Sequence, residues 1–443
     1  MKSKPSPQFL ATMIPIIVFV FTPAIPAHAQ YTETLNIGAP GIYTGSPLIA
    51  DAAGNFYGSV GGGTGECYPY GCGQIFQLPA GSQTPNIIYQ FTGTTDGSGP
   101  TGRLTVDAKG NVYGVTTGGG NLSYCGGSGC GVVFELSPAS GGAWTETVLY
   151  AFTETTDGGF PYGGVVFDAE GNLYGAAGVG GEDICEGKNN CGEVYELSPN
   201  STGGWTQTVI HSFHGTFDGG PPVGLLTLDK HGNVYGATTA GGNTTACQDG
   251  CGTLFLLTPV SGGKWSYNRL YEFDGAKGQN PTGFLVFDKV GNLYGATEVG
   301  GKTGSGCPLG TCGTVFELAH LSNGTWRQSV LHSFTGGPDG STPSNGGVTL
   351  DTAGNVYGTA AYGGIQDCGS SGYPPGCGTA YKISPASGGG WIFDRIYGFT
   401  GFDGEIPNGS LLLDASGNLY GTSVVGYDGY GNIFELSPPA DEK

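Results

Sequence analysis

Aspartates recur at two fixed places in the sequence and are the first candidates for chemistry. One opens each copy of the motif Asp-x-x-Gly-Asn-x-Tyr-Gly. Its short carboxylate predicts a cap for the backbone N–H groups of the turn that follows. A calcium site would need further oxygen ligands, and the run Asp-x-Asp-x-Asp-Gly is absent from the sequence. We therefore predict no cofactor; calcium stays open, without a ligand motif to support it.

A second set of aspartates precedes glycine near the end of most repeats. Its members are Asp96, Asp157, Asp218, Asp339 and Asp403. The Asp-Gly pairs are typical of tight turns. The alternative is a ring of carboxylates on one face that attracts cations or a cationic ligand.

Aromatic residues cluster in the same connections and in the loops that hold the cysteines. The candidate ligand-binding residues are Tyr68, Tyr70, Tyr124, Tyr162, Phe217, Tyr362, Tyr373, Tyr427 and Tyr430, with Phe160 and Phe402 in equivalent loops. Rings beside carboxylates and backbone amides suit stacking on sugars or docking to a protein.

Catalytic motifs are missing from the sequence. It contains no Gly-x-Ser-x-Gly elbow and no His-Glu-x-x-His helix. His211 and His332 stand where other repeats have tyrosine, which indicates packed rings. The strands expected to line the centre carry a lone Arg103 among apolar and threonine residues, which argues against a metal or acid–base site there. We predict no catalytic residue and leave the metal content open.

The 12 cysteines fall into six close pairs. The pairs are Cys67/Cys72, Cys125/Cys130, Cys185/Cys191, Cys247/Cys251, Cys307/Cys312 and Cys368/Cys377. Local pairing and an even number predict disulfides in an oxidising compartment. Metal binding is the alternative, but a structural zinc site takes four Cys or His ligands, and no histidine recurs beside these pairs.

Residues 1–29 have the features of a secretory signal peptide. Lys2 and Lys4 give a basic start, an apolar run extends from Ile14 to Phe21, and Ala27-His28-Ala29 fits the cleavage pattern. The sequence therefore predicts a protein that is secreted, periplasmic or associated with the bacterial cell surface. We expect no membrane insertion once the signal has been removed.

The Asp-x-x-Gly-Asn motif occurs seven times, starting at Asp51, Asp107, Asp168, Asp229, Asp288, Asp351 and Asp414. A period of about 60 residues indicates a repeat architecture. In the repeat that contains Asp229, strands are predicted at 225–228, from 233, at 253–257 and from Trp265 to about Phe273. The apolar residues of these strands occur in near-continuous runs, so both faces of each sheet must be covered.

Radial repetition of four-stranded blades covers both faces. We therefore predict an all-β protein: a seven-bladed β-propeller with four antiparallel strands per blade, forming a single domain over residues 30–443. The last repeat stops after its third strand, and residues 32–37 resemble the fourth strands of other repeats. We expect residues 32–37 to pair with 432–437 and close the ring. The cysteine loops and the connections between repeats then lie on one face, named here the loop face.

The composition agrees with this architecture. Of 443 residues, 89 are glycine and 27 are proline, and only 11% are charged. The 12% of aromatic residues argue against disorder. A net charge of −20 argues against nucleic-acid binding. Glycine recurs in register with the repeat, as expected for many tight turns.

The repeat text resembles a bacterial tandem-repeat family, the GloVer-type repeat. The resemblance rests on Asp288 to Gly295, Cys312 to Leu318 and Trp144 to Tyr150, and extends over essentially the whole chain after residue 29. The sequence of the strand-turn-strand segment is more distantly similar to that of NHL-type propellers. The resemblance implies export, often with a surface-sorting anchor, and implies no reaction. This chain departs from the family in ending at Lys443 without a hydrophobic anchor, and its seventh repeat has no cysteine pair.

These observations predict a monomeric binding module for an extracytoplasmic polysaccharide or protein, with no nucleic-acid partner. One alternative is a propeller-type glycoside hydrolase or polysaccharide lyase, which needs acids converging on one pocket. The other is a purely structural cell-surface protein.

Overall fold

The computed structural model describes residues 30–38, 43–44, 46–63, 67, 71–154, 156–180, 184–185, 188–189, 191–215, 217–304, 306–343, 346–364, 376–425 and 431–440. Their regular structure consists of β-strands and two three-residue 3-10 helices, Cys125–Gly127 and Ser140–Gly142. In these ranges no helix is long and apolar enough to cross a membrane.

The strands follow the repeats. Strand β1 (Thr32–Gly38) comes first. Unit 1 contains β2 (Tyr43–Thr44), β3 (Ile49–Ala50), β4 (Phe56–Gly61), β5 (Gln74–Leu78) and β6 (Asn86–Gln90). Unit 2 contains β7 (Ser98–Val106), β8 (Val112–Gly118), β9 (Val132–Pro138) and β10 (Trp144–Ala151). Unit 3 contains β11 (Gly159–Phe167), β12 (Leu173–Val179), β13 (Ile184–Cys185), β14 (Lys188–Asn189), β15 (Glu193–Pro199) and β16 (Trp205–Ser212).

The second half of the chain repeats this pattern. Unit 4 contains β17 (Gly220–Leu228), β18 (Val234–Ala240), β19 (Thr253–Val260) and β20 (Lys264–Glu272). Unit 5 contains β21 (Gln279–Pro281), β22 (Val286–Phe287), β23 (Leu293–Val299), β24 (Thr314–His320) and β25 (Trp326–Ser333). Unit 6 contains β26 (Ser341–Pro343), β27 (Thr349–Leu350), β28 (Val356–Tyr362), β29 (Thr379–Pro385) and β30 (Trp391–Gly398). Unit 7 contains β31 (Glu405–Leu413), β32 (Leu419–Val425) and β33 (Asn432–Ser437).

The predicted all-β, propeller-like arrangement is confirmed in outline. Antiparallel sheets follow one another along the chain, and in unit 4 the order is β17-β18-β19-β20. The predicted strands of that repeat are all present. Clusters of buried side chains fill the spaces between successive units; one contains Phe152 of unit 2 and Tyr195 of unit 3.

The number of separate sheets differs from the prediction of seven individual blades. Five sheets have four or five strands, while units 2 and 3 form one eight-stranded sheet, and β13 and β14 form a separate two-stranded ribbon. The two units join where Arg103 of β7 pairs with Gly164 of β11 in a parallel bridge. Glycines at the centre of the molecule, described next, make this close approach sterically possible.

In several units a glycine stands five residues before the turn aspartate, and together these glycines are named here the glycine ring. Gly102, Gly163 and Gly224 have φ angles of +71°, +83° and +70°. A Cβ on Gly102 would overlap the backbone of Gly163, and a Cβ on Gly163 would overlap that of Gly224. The inner strands of neighbouring units therefore touch backbone to backbone around the axis. Only glycine combines this contact with a positive φ at low cost.

The two ends of the described chain meet as predicted. Strand β1 is antiparallel to β33, with Thr32 opposite Ser437 and Gly38 opposite Asn432. A cluster containing Ile37 and Ile433 also includes Leu48 and Phe76 of unit 1. The last unit therefore packs on the first, and the strand-pairing prediction is confirmed.

The turn aspartates cap their own turns. In unit 3, Asp168 Oδ1 accepts hydrogen bonds from the backbone nitrogens of Glu170 (3.0 Å) and Asn172 (2.8 Å). Its Oδ2 accepts from the side chains of Asn172 (2.8 Å) and Tyr174 (3.1 Å). The same set recurs in the other repeats, for example at Asp414. The capping interpretation of the motif is confirmed.

Candidate functional site

The loop face is built by two kinds of connection that hydrogen-bond to each other. Gly120, which starts a cysteine loop, donates its backbone N–H to the carbonyl of Thr94 in the connection between units (2.8 Å). The same contact joins Gly301 to Gly275 and Gly364 to Gly337, each at 2.9 Å. Both sets of candidate residues in these segments therefore belong to one face.

Disulfides fasten the cysteine loops. The pairs Cys67–Cys72, Cys125–Cys130, Cys247–Cys251 and Cys307–Cys312 are bonded, with Cα atoms 5.0, 5.4, 5.2 and 4.8 Å apart. These four predicted pairs are confirmed. Cys191 and Cys377 are also disulfide-bonded. Their predicted partners, the side chains of Cys185 and Cys368, lie outside the described part of the structure.

One cysteine pair lies beside an acid. Cys125 Sγ is 3.0 Å from Glu154 Oε2, and with Cys130 these residues form the one group in the described ranges with metal-ligand spacing. The sulfurs are bonded to each other, however, whereas metals bind thiolates. The oxidised pair is therefore a structural disulfide that closes its loop, not a metal site.

Removing the Cys125–Cys130 disulfide should lower the stability of the protein measurably. For C125S/C130S we expect the free energy of unfolding to fall by about 2 kcal/mol, because a short loop regains its entropy in the unfolded chain. Chemical denaturation under non-reducing conditions measures the change. Ser123→Ala, in the same loop, is the control. Equal stability of C125S/C130S and the control would contradict a structural role.

The aspartates of the second set point inward. Asp96, Asp157, Asp218 and Asp403 are only 8, 8, 3 and 7% exposed. Asp157 accepts from Tyr150 Oη (2.9 Å) and from the backbone nitrogen (3.0 Å) and hydroxyl (2.7 Å) of Thr153. The other members of the set have equivalent partners, with His332 and Thr335 bonded to Asp339. These carboxylates tie the fourth strand to the next unit, so they do not form an exposed acidic ring.

The sequence contains a signal for these hydrogen-bond partners in their spacing. Tyr89, Tyr150, His211 and His332 each precede their aspartate by seven residues. This constant interval identifies a packed ring that bonds to a buried carboxylate. The residue types at this position predict packed histidine rings, but only the interval of seven residues points to their carboxylate partner.

Unit 3 holds its connecting aspartate between two histidines. Asp218 Oδ2 lies 3.1 Å from His211 Nε2 and 3.0 Å from His214 Nδ1. Burial alone would raise the pKa of the Asp218 carboxyl, but the hydrogen bonds from both histidines outweigh it and hold the pKa below its usual value. Tyr267 stacks on His211 with ring centroids 4.6 Å apart. The cluster is satisfied internally and stabilises the connection.

Several exposed apolar side chains lie on the loop face. The described ranges contain 11 exposed large hydrophobic side chains, and the loop-face connections hold Leu122, Tyr124, Phe217, Leu309 and Phe402. Phe217 and Phe402 are 71% and 72% exposed. The Arg269 guanidinium lies 5.3 Å from the centre of the Phe217 ring and donates to the Phe217 carbonyl. The surface therefore offers aromatic rings on loops whose backbone is held in place.

The other candidate aromatics are distributed differently. Tyr162 is 44% exposed but lines a cavity on the axis, beside Pro47 and Gly163. Phe160 and Tyr362 are half-buried. Tyr68, Tyr70, Tyr373, Tyr427 and Tyr430 lie outside the described residues. Of the predicted aromatic set, the structure brings Tyr124 and Phe217 to the exposed surface of the loops, together with Phe402.

Two outer-strand glutamates have unusual environments. Burial, and secondarily the charge of Asp96, raises the pKa of Glu146 to about 7. Burial and Asp403 do the same for Glu33, to about 7. Two other units have glutamine at this position. Gln207 and Gln328 donate to the carbonyls of Asp157 (3.3 Å) and Lys277 (3.2 Å). The outer-strand position that Glu146 and Glu33 occupy is therefore better suited to a neutral side chain that donates a hydrogen bond.

These environments predict a pH-dependent stability. The folded-state pKa of Glu146 lies above its unfolded value, so its contribution is greatest below about pH 4 and is lost as the pH rises through about 7. Glu146→Gln should raise Tm by about 1–2 °C at pH 8 and change it little at pH 5. Scanning calorimetry at both pH values measures this. Glu170→Gln, on an exposed turn, is the control, and a lower Tm of E146Q at pH 8 would contradict the prediction.

Comparisons with known proteins identify the repeat and the fold. The model of the Gloeobacter/Verrucomicrobia repeat matches residues 17–248 and 127–371. No curated protein matches the chain significantly. A fungal alcohol oxidase of the AA5 family, in complex with copper, is 16% identical, with a TM-score of 0.54 over 93% of this chain and 78% of that protein. A protein described as the extracellular domain of a hybrid two-component system of B. thetaiotaomicron is 12% identical, with a TM-score of 0.50 over 92% of this chain and 40% of that one. At these identities the similarity concerns the fold alone.

Proposed function

Because the chain belongs to the Gloeobacter/Verrucomicrobia repeat family, we propose that it is an exported binding module whose loop face engages an extracytoplasmic polysaccharide. The observation that carries this proposal is the group of exposed apolar side chains on that face, with Phe217 and Phe402 the most exposed. Aromatic rings on a surface stack on the apolar faces of sugar rings.

The scaffold supports binding by presenting these rings on fixed loops. Disulfides close the loops that carry Tyr124 and Leu309, and buried aspartates anchor the connections that carry Phe217 and Phe402. Less conformational entropy is lost on binding when the contacting residues are already ordered. The proposal therefore rests on the apolar residues and not on the carboxylates of the connections.

The architecture and location that accompany this function are also part of the proposal. We count the eight-stranded sheet as two blades, which gives a seven-bladed ring closed by β1, formed by residues 30–443 after removal of a signal peptide at 1–29. The disulfides support folding in an oxidising compartment outside the cytoplasm.

A glycan array tests the proposal directly. The protein beginning at residue 30 is screened with and without calcium. We expect binding to a subset of neutral or basic glycans, since the net charge of −20 disfavours acidic ones. Binding only with calcium would identify an ion-dependent site. If no glycan binds above background under either condition, the glycan proposal is overturned. A protein ligand would then be the hypothesis to test.

A further inference from the structure

The axis of the ring contains a series of cavities. The middle one has a volume of about 330 Å³ and is lined by Arg103, Thr227, Phe284 and Ser410, among others. It shares Phe284 with a cavity of about 250 Å³ on the side of Tyr162, and Phe287 with one of about 590 Å³ among the turn aspartates. The middle cavity is of a size that holds a small organic molecule.

Arg103 is the one charged residue at its position in the repeat. The equivalent residues, four before each turn aspartate, are Pro47, Gly164, Leu225, Phe284, Gly347 and Ser410. In a protein with a net charge of −20, a cation at the centre of the ring is unexpected. The strand does not need it there, because glycine, leucine and serine form the same strand in other units.

The Arg103 guanidinium has no protein partner in the part of the chain that the structure describes. None of the ion pairs found there includes it, and neither does any hydrogen bond of its side chain. Burial lowers its pKa, but an arginine stays charged at neutral pH. No carboxylate lines the middle cavity among the described residues. The Arg103 side chain is half-buried. Its charge is therefore only partly solvated and has no counter-ion, and an anion that enters the cavity would pair with it.

The walls select the kind of anion. Leu225, Phe284, Val348 and Leu411 supply apolar surface. The hydroxyls of Thr227 and Thr349 are engaged with the carbonyls of Leu285 and Leu411, which leaves Ser410 as a nearby hydroxyl of the lining. One cation in an apolar cavity balances one negative charge and disfavours a strongly hydrated dianion.

We propose that the central channel binds a small organic monocarboxylate, with its carboxylate on the Arg103 guanidinium and its apolar body against Leu225 and Phe284. A planar guanidinium pairs with a carboxylate through two parallel hydrogen bonds. The site is separate from the loop face and does not depend on the polysaccharide proposal.

Titration calorimetry with benzoate tests the site, with inorganic phosphate as the competing anion. We expect the wild-type protein to bind benzoate with one site per chain and to bind phosphate more weakly. Arg103→Leu should weaken benzoate binding about tenfold or more, as expected for loss of a charge-assisted pair. Arg327→Leu, the same substitution on an exposed outer-strand residue, should leave binding unchanged.

Two further measurements make the result decisive. Without ligand, R103L should unfold at the same temperature as wild type or a higher one, because a half-buried charge without a protein partner is removed. Arg103→Lys keeps the charge but loses the planar fork, so its benzoate affinity should be intermediate. The proposal is overturned if wild type binds no benzoate, if R103L binds it equally, if phosphate binds more tightly, or if R103L is less stable because Arg103 has a structural partner.

Discussion

Replacing Gly163 by alanine is expected to destabilise the protein by about 3 kcal/mol or more. Gly163 has a φ of +83°, which costs a residue with a Cβ about 1–2 kcal/mol. The added Cβ would also overlap the backbone of Gly224 in the next unit, and overpacking costs about 1–3 kcal/mol. Inner strands in contact through their backbones cannot move apart at one point without disturbing neighbouring units. Chemical denaturation of Gly163→Ala measures the loss.

A second glycine separates backbone strain from crowding. Gly171 has a φ of +90° in an exposed turn, and a Cβ there would meet no atom within 4 Å. Gly171→Ala should therefore cost only about 1–2 kcal/mol, the strain contribution alone. Similar losses for G163A and G171A would show that the glycine ring is not closely packed, contrary to the structure.

Removing β1 is expected to have the other large effect. A chain that begins at residue 39 lacks Tyr31 and Ile37, which are both 5% exposed in the intact protein. Burial of two such side chains contributes about 4 kcal/mol. The truncation also leaves the edge of β33 unpaired, and unpaired edges promote association between chains. We expect a much lower Tm and dimers or aggregates in analytical ultracentrifugation, relative to a chain that begins at residue 30.

The missing strand can be supplied separately. A synthetic peptide of residues 30–38 should bind the truncated chain by adding a strand to β33, restoring its Tm and its monomeric state. A peptide of the same composition in scrambled order is the control. An unchanged Tm on truncation would contradict the role of β1 in closing the ring.

Much of the fold could be predicted because the repeat provides seven observations of each element. The turn motif placed the first and second strands, and the unfinished last repeat placed β1 on β33. Local cysteine pairs predicted the disulfides without further information. The join between units 2 and 3 could not be predicted in the same way. It depends on how closely the backbones of Arg103 and Gly164 approach, which no residue type specifies alone.

The candidate site was only partly predictable for a related reason. Sequence places Asp157 in a connection but does not say which way its carboxylate points. That direction follows from Tyr150 and Thr153, whose hydroxyls reach it only after the fourth strand has paired. The aromatic residues could be assigned to the loop face by topology. Their exposure, high at Phe217 and moderate at Tyr124, depends on how neighbouring loops pack.

The exposed rings of the loop face provide the most direct test of the proposed function. The measurement is the affinity of F217A/F402A for the glycan that wild type binds most tightly on the array. Both side chains are more than 70% exposed, so the double variant should fold like wild type. V290A/I392A removes apolar side chains that are 81% and 52% exposed outside the loop face and is the matched control. We expect F217A/F402A to bind about tenfold or more weakly, since stacked rings contribute about 0.5–1.5 kcal/mol each beyond the area they bury. Equal affinities of the two double variants would contradict binding at the loop face.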